Sequence, residues 1–196
     1  MDSSDTSQAH PAQFRQFFWS WIQNPLAIGA VAPSGRTLAK LMVKGAHAGA
    51  RVMELGPGTG TVTRAILESG VDERNLYLVE RNAAFSRLLR ERFPKATLLH
   101  EDATELAAHA RSLAGTFDLI VSGLPLVLFS RAQKERLLVD VLALLKPTGA
   151  FHQFTYGGRC PIRRRVRDAL GLDTTLLGIA PLNVPPAFVY RICRVV

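Results

Sequence analysis

The stretch Arg51-Val52-Met53-Glu54-Leu55-Gly56-Pro57-Gly58-Thr59-Gly60-Thr61 decides how the rest of the chain is read. Its first half is a short apolar run of strand length, its middle is rich in glycine, and Thr61 to Ser69 continues with helical spacing. Glycines at the junction of a strand and a helix let the backbone take dihedral angles closed to other residues and let it approach a bound ligand. Glu54, at the end of the strand, supplies a carboxylate that can accept hydrogen bonds from a ligand ammonium. The spacing is Gly-x-Gly-x-Gly, which differs from the Gly-x-Gly-x-x-Gly of dinucleotide-binding folds.

Working outward, the pattern of strand, turn and helix repeats. Asn75 to Glu80 reads as a second strand, Ala83 to Phe93 as a helix stopped by Pro94, and Ala96 to His100 as a third strand. A helix is expected near Glu105 to Ser112 and a fourth strand over Phe117 to Ser122. A helix over Arg131 to Leu145 follows, closed by Lys146-Pro147, and then a fifth strand over Ala150 to Tyr156. Strands spaced by helices imply a parallel sheet. After a short helix at Arg163 to Leu170, two segments, Thr174 to Ala180 and Ala187 to Val196, have no helix between them and should pair as an antiparallel hairpin at the sheet edge.

Glu80 ends the second strand 20 residues after Gly60, where an acidic side chain can bind both hydroxyls of a ribose. Asp102-Ala103 follows the third strand, where a carboxylate can read an adenine amino group. Glu54, Gly56, Gly58, Gly60, Glu80, Asp102 and Ala103 together indicate a bound nucleoside. This combination, with the terminal hairpin, resembles the class I S-adenosylmethionine-dependent methyltransferases. The resemblance implies an α/β, Rossmann-like fold with a seven-stranded, mostly parallel sheet and one antiparallel strand at the C-terminal hairpin. It also implies S-adenosylmethionine as methyl donor and S-adenosylhomocysteine as product.

The fourth strand runs into Ser122-Gly123-Leu124-Pro125-Leu126, in the loop where that class holds the methyl acceptor. Members that methylate nucleobases carry Asn/Asp-Pro-Pro-Tyr or Asn-Leu-Pro-Tyr there. Here Ser122 replaces the amide and Leu126 the aromatic residue, so a base has no stacking platform. Ser122 is counted with the cofactor residues, and Gly123, Leu124, Pro125 and Leu126 with the acceptor residues.

The segments Asn24 to Ser34, Gly123 to Leu126, Gln153-Phe154-Thr155-Tyr156-Gly157 and Asn183 to Ala187, together with the glycine loop, resemble a small bacterial phospholipid N-methyltransferase. That resemblance implies stepwise methylation of phosphatidylethanolamine toward phosphatidylcholine, by an enzyme that docks on the inner membrane face. Tyr156 is the candidate for orienting the amine or helping to deprotonate it, with His152 second. Ser34 is a candidate helix cap or cofactor ligand. Arg36 and the Arg159 to Arg167 group are candidates for the lipid phosphate.

Charge and composition fit a membrane partner. The net charge is +8, and it is uneven: residues 1–145 hold 16 Lys and Arg against 14 Asp and Glu, while residues 146–196 hold 8 against 2. Near the N-terminus, Phe14, Phe17, Phe18, Trp21 and Ile22 fall on one face of an expected amphipathic helix. That helix, roughly 18 Å long, can lie on a bilayer without crossing it, and Phe18 and Trp21 are its candidate lipid contacts. The expected division is therefore a membrane-binding or lid helix over residues 1–24 and a methyltransferase domain over residues 25–196. No run of 18 apolar residues and no basic leader is present, so the chain reads as cytosolic. Cys160, Cys193 and the five histidines show no metal-ligand spacing, so no metal is expected. Two other readings remain open on these residues: an RNA adenine N6-dimethyltransferase, and a lipid-binding module without activity.

Overall fold

The computed structural model describes residues 33–156, 158–183 and 185–195. The aromatic segment with Phe18 and Trp21 lies outside the described residues. Its successor is α1 (Pro33–Met42). The repeating units follow as β1 (Val52–Leu55), α2 (Thr61–Glu68), β2 (Leu76–Val79), α3 (Ala83–Arg92) and β3 (Thr97–Leu99). Then come α4 (Ala110–Leu113), β4 (Phe117–Ser122), α5 (Arg131–Leu144), β5 (Leu145–Thr155), α6 (Arg164–Ala169), β6 (Leu172–Ala180) and β7 (Ala187–Arg194).

The strands form one seven-stranded sheet in the order β3-β2-β1-β4-β5-β7-β6. Neighbours from β3 through β5 run parallel, and β7 runs antiparallel to both β5 and β6. The hairpin therefore turns back into the sheet, leaving β6 as its edge. Burial explains that order. Val189 and Ile192 of β7 are fully buried, whereas Leu176 and Ile179 of β6 remain exposed.

Both faces of the sheet are covered, as a parallel sheet requires. Val52, Leu76, Leu78 and Val121 pack with Met42, Ile66 and Leu89 from α1, α2 and α3. Met53, Leu55, Ile120 and Phe151 pack on the other face with Leu106, Leu137 and Val141, the last two from α5. The helix α5 starts sharply because Ser130 and Gln133 cap each other: Gln133 N donates to Ser130 Oγ at 3.2 Å, and Ser130 N donates to Gln133 Oε1 at 2.8 Å.

Two expectations shift. The helix expected near Glu105 is instead a 3₁₀ run, Ala103–His109, kinked at Glu105, followed by the single turn of α4. Asp102 starts it tightly by accepting hydrogen bonds from both Thr104 N and Thr104 Oγ1, each at 2.9 Å. The fifth strand begins at Leu145 rather than Ala150. The register jumps from Phe117 opposite Leu145 to Leu119 opposite Ala150, so Lys146 to Gly149 bulge out between them.

Sequence order reverses between β1 and β4, the two strands that leave the centre of the sheet in opposite directions. In an open sheet of this kind the ligand crevice lies at the carboxyl ends of those strands. The glycine loop and the acceptor loop both start there.

Candidate active site

The loop after β1 is shaped by three left-handed glycines, Gly56, Gly58 and Gly60, with φ of 71°, 56° and 83°. Each has a different neighbour. A Cβ on Gly56 would meet Leu124 Cδ2 at 2.7 Å, and one on Gly60 would meet Phe93 Cε2 at 2.7 Å. Around Gly58 nothing among the described residues lies within 4 Å of the place a Cβ would take, so this turn of the loop faces open space. Gly56 and Gly60 are therefore set by packing, and Gly58 leaves room for a ligand against bare backbone.

Carboxylates hold the loop from two sides. Glu80 accepts from Gly58 N at 3.1 Å through one oxygen and from Asn82 N at 2.8 Å through the other. Its remaining lone pairs can accept from ribose hydroxyls. Glu54 is 1% exposed and accepts from Thr63 Oγ1 at 2.6 Å. Burial, with a smaller contribution from the nearby Glu80, pushes its carboxyl up to about 8 against the hydrogen bonds from Thr63 that favour the charged form. An acid held so high is a natural partner for a ligand cation, whose charge would restore the carboxylate.

Asp102 lies at the third strand end. Arg81 Nη1 donates to its Oδ2 at 3.1 Å. Burial acts to raise the Asp102 carboxyl, but the Thr104 hydrogen bonds and Arg81 outweigh it and leave the group below its ordinary value. Ala103 beside it is buried.

The acceptor loop presses on the glycine loop. Gly123 N donates to Leu55 O at 2.8 Å, and a Cβ on Gly123 would meet Gly56 O at 2.8 Å. Only glycine permits that approach. Ser122 is fully buried, and its hydroxyl accepts from Leu124 N at 3.2 Å, so it supports the acceptor loop from within. Beyond the loop, Pro125, Leu126, Phe154, Tyr156 and Pro161 line a small apolar depression.

Tyr156 is half-buried there, edge-on to Phe154 with ring centroids 5.3 Å apart. Burial pushes its phenol up, partly offset by a hydrogen bond with Asn183. The phenol is neutral at pH 7, which suits it to orienting an amine and not to acting as a base. His152 is turned to other work: its Nδ1 donates to Met42 O at 2.8 Å, and burial, aided by Arg191, pushes its ring down to about 4. It ties β5 to the end of α1. Ser34 falls inside the first turn of α1, and Arg36 in the same helix is exposed.

Three contributors escaped sequence reading. Thr63 had a readable signal, since a carboxyl buried in a strand end needs a hydroxyl partner on the following helix. Asn82 caps α3 by accepting from Ala84 N and Phe85 N. Gln153 belongs to a segment that carries the resemblance, but its contact with Leu124, 29 residues away, has no signal of its own.

Sheet order, left-handed glycine loop and acidic strand ends define an S-adenosylmethionine-dependent methyltransferase. The glycine cradle open at Gly58 and the buried acid at Glu54 fit such a ligand, with Glu80 and Asp102 flanking it. A family described as a methyltransferase domain matches residues 52–149. The ornithine lipid N-methyltransferase of Singulisphaera acidiphila is 31% identical over 188 residues, covering 92% of this chain and 95% of that protein. Among solved structures, the 1,6-didemethyltoxoflavin-N1-methyltransferase of Burkholderia thailandensis with bound S-adenosylhomocysteine superposes with a TM-score of 0.67 at 16% identity, covering 98% of this chain and 94% of its own. The magnesium protoporphyrin IX methyltransferase of Synechocystis with bound S-adenosylmethionine gives a TM-score of 0.63 at 13% identity, covering 97% of this chain and all of its own. The chain belongs to the S-adenosylmethionine-dependent methyltransferase family.

Proposed function

We propose that this chain methylates the amine of a membrane aminolipid, taking phosphatidylethanolamine and its mono- and dimethyl forms toward phosphatidylcholine. The observation that carries the reading is the acceptor side of the crevice, where an apolar depression lies beside the cofactor loop. Phe154 and Tyr156 meet there at an interplanar angle of 78°, an arrangement with no pair of parallel faces for a base to enter. Aromatic faces do attract alkylammonium groups, which is the character an amine gains as methyl groups accumulate.

The donor supplies an electrophilic methyl group on a sulfonium. The chain's residues must deliver a neutral amine to it in line. An alkyl amine with pKa near 10.4 costs roughly 4–5 kcal/mol to deprotonate at pH 7, and an apolar surrounding lowers that cost by disfavouring the ammonium. Leu124, Pro125 and Leu126 exclude water from the amine, and Tyr156 orients it.

The rim of the crevice suits a bilayer. Val127 and Leu128, next to the depression, are 48% and 36% exposed. Both α5 and α6 begin at this end of the sheet, and Arg131, Arg163, Arg164 and Arg165 at their starts are exposed, as is Arg159. Each cation near an anionic surface contributes about 1 kcal/mol. Arg167 is committed elsewhere, donating to Thr174 Oγ1, and Arg131 and Arg164 each pair with a carboxylate one turn on, Glu135 at 2.7 Å and Asp168 at 3.6 Å. Among the described residues no helix is long and apolar enough to cross a membrane. The N-terminal aromatic stripe and this basic rim would hold the enzyme on the inner face of the cell membrane, and Arg36 or the arginine group would take the lipid phosphate. Deleting residues 1–23 should then strip the chain from anionic vesicles; unchanged binding would contradict the role of the stripe.

A second acceptor, ornithine lipid, is favoured by the 31% identical relative. Labelled S-adenosylmethionine offered with phosphatidylethanolamine, its methylated forms, ornithine lipid and RNA separates the readings by chromatography. Label in phosphatidylethanolamine products supports the proposal, label in ornithine lipid alone moves it to the second reading, and label in RNA alone overturns both.

A further inference from the structure

The turn between β6 and β7 has an inner and an outer side. Inside, Asn183 makes a hydrogen bond with Tyr156, which lines the apolar depression. Outside, Leu182 is 68% exposed, more than any other large apolar side chain among the described residues. Register fixes where the turn stands. Ala180 faces Ala187, and Phe188 faces both Ile179 of β6 and Thr155 of β5, so the turn sits at the crevice end of the sheet. Ile179 is 45% exposed there. Val127, also exposed, lines the same depression from the loop after β4, so exposed aliphatic side chains approach the depression from two separate loops.

Single exposed aliphatics need no explanation, so the surroundings of Leu182 decide its meaning. A Cβ on Gly158 would meet Phe188 Cζ at 3.5 Å, and Tyr190 Oη donates to Gly158 O at 2.9 Å. Those contacts fasten the next residue, Arg159, beside the patch. Arg159, Arg163 and Arg165 are exposed and stand in no ion pair among the described residues. The two acids of residues 146–196, Asp168 and Asp173, lie outside both the turn and this arginine segment, and Asp173 is in register with Cys193 near the far end of the hairpin. Aliphatic side chains on a projecting turn, flanked by unpaired cations and free of acids, match an anionic bilayer, with apolar tails for Leu182 and head groups for the arginines.

We propose that the β6–β7 turn is a bilayer contact: Leu182 and Ile179 enter the surface of an anionic membrane, with Arg159, Arg163 and Arg165 at its head groups. The choice of occupant rests on the aminolipid reading above, and the assignment adds an orientation to it. Asn183 ties the inserted turn to Tyr156, so the depression opens against the membrane and an aminolipid head group reaches it while its acyl chains stay in the bilayer. Val195 supplies the control. It is 67% exposed, but its N donates to Gly171 O at the other end of the hairpin, roughly 25 Å from the turn along β7.

Leu182→Asp and Val195→Asp change the charge equally, so together they separate position from charge. Flotation of the full chain with vesicles of phosphatidylethanolamine and phosphatidylglycerol gives the partition coefficient, with S-adenosylmethionine affinity, thermal midpoint and oligomeric state measured alongside. Leu182→Asp should lose about tenfold or more in partition, and Val195→Asp less than about twofold. Leu182→Trp, which suits the membrane interface, should bind at least as tightly as the wild type, an outcome that a folding defect would not give. Donor affinity and thermal midpoint should hold in all three. Equal losses in the two Asp variants, or none in Leu182→Asp, would overturn the surface and leave the aminolipid reading standing. Loss of a dimer in Leu182→Asp with partition unchanged would assign the patch to a second copy and overturn the surface as well. Wild-type chain that labels no aminolipid overturns that reading, and the surface then stands or falls on the partition of the two Asp variants alone.

Discussion

The two loops that meet at the centre of the sheet are built by different physics. After β1, β2 and β3 the crevice is polar and pinned: Glu80 takes two backbone N–H groups, Glu54 takes Thr63, and Asp102 takes Thr104 and Arg81. After β4 and β5 it is apolar and shaped, with Leu124 pressed on Gly56 and the depression formed by Pro125, Leu126, Phe154 and Tyr156. The polar half suits the donor that the S-adenosylmethionine-dependent family shares. The apolar half is where the loop sequence differs from that of nucleobase enzymes, and among the described residues the buried side chains of Ser122, Gln153 and Thr155 interrupt it.

That contrast can be broken by substitutions that separate donor binding from acceptor turnover. Gly60→Val puts a branched side chain at φ 83°, with Phe93 already 2.7 Å from its Cβ position. Left-handed strain of about 1–2 kcal/mol and overpacking of about 1–3 kcal/mol should weaken S-adenosylmethionine binding by about 100-fold or more in calorimetry. Vesicle binding should stay intact. Retained donor affinity would show that the glycine geometry is not what seats the donor.

Glu54 sharpens the polar half through pH. Its folded carboxyl titrates near 8 against an ordinary 4.5, so the folded chain holds a proton that the unfolded chain has released across that interval. Stability of the free protein therefore falls as pH rises from 4.5 through 8. Affinity for the cationic donor should move the opposite way, tightening by up to about tenfold per pH unit below 8. Glu54→Gln should flatten both slopes, and a slope that survives the substitution belongs to another group.

Tyr156→Phe probes the apolar half. Losing a hydroxyl that orients the amine should lower kcat about 3- to 10-fold with donor affinity unchanged. Full turnover would remove the hydroxyl from the mechanism and leave the ring as a wall.

The smallest effect concerns the strut between β5 and the end of α1. His152 is held neutral with its ring titrating near 4 against 6.5, so the unfolded chain binds a proton that the folded chain refuses between those values. Stability should fall as pH drops from 6.5 toward 4, and His152→Gln should blunt that acid limb in thermal melts.

The same contrast explains what could be read from the chain alone. The strands from β1 to β4 and the helices between them announce themselves by apolar runs, glycine and proline stops. Glu54, Glu80 and Asp102 are legible because each sits at a strand end. The order of β6 and β7 depended on which strand buries more, and both are apolar enough to pass for the inner one. The 3₁₀ run after Asp102 was hidden because an Asx turn and a helix cap use the same residue. The contact of Gln153 was hidden for a different reason: a hydrogen bond from a strand to a distant loop carbonyl leaves no period behind it.

The central claim is that the apolar half selects a lipid and not merely an amine. Steady-state kcat/KM on phosphatidylethanolamine in vesicles, measured against water-soluble phosphoethanolamine, tests it most directly. Burial of even a few methylene groups at about 0.8 kcal/mol each predicts a preference for the lipid of at least about tenfold. Equal rates on the two, or methylation of the soluble amine alone, would contradict it.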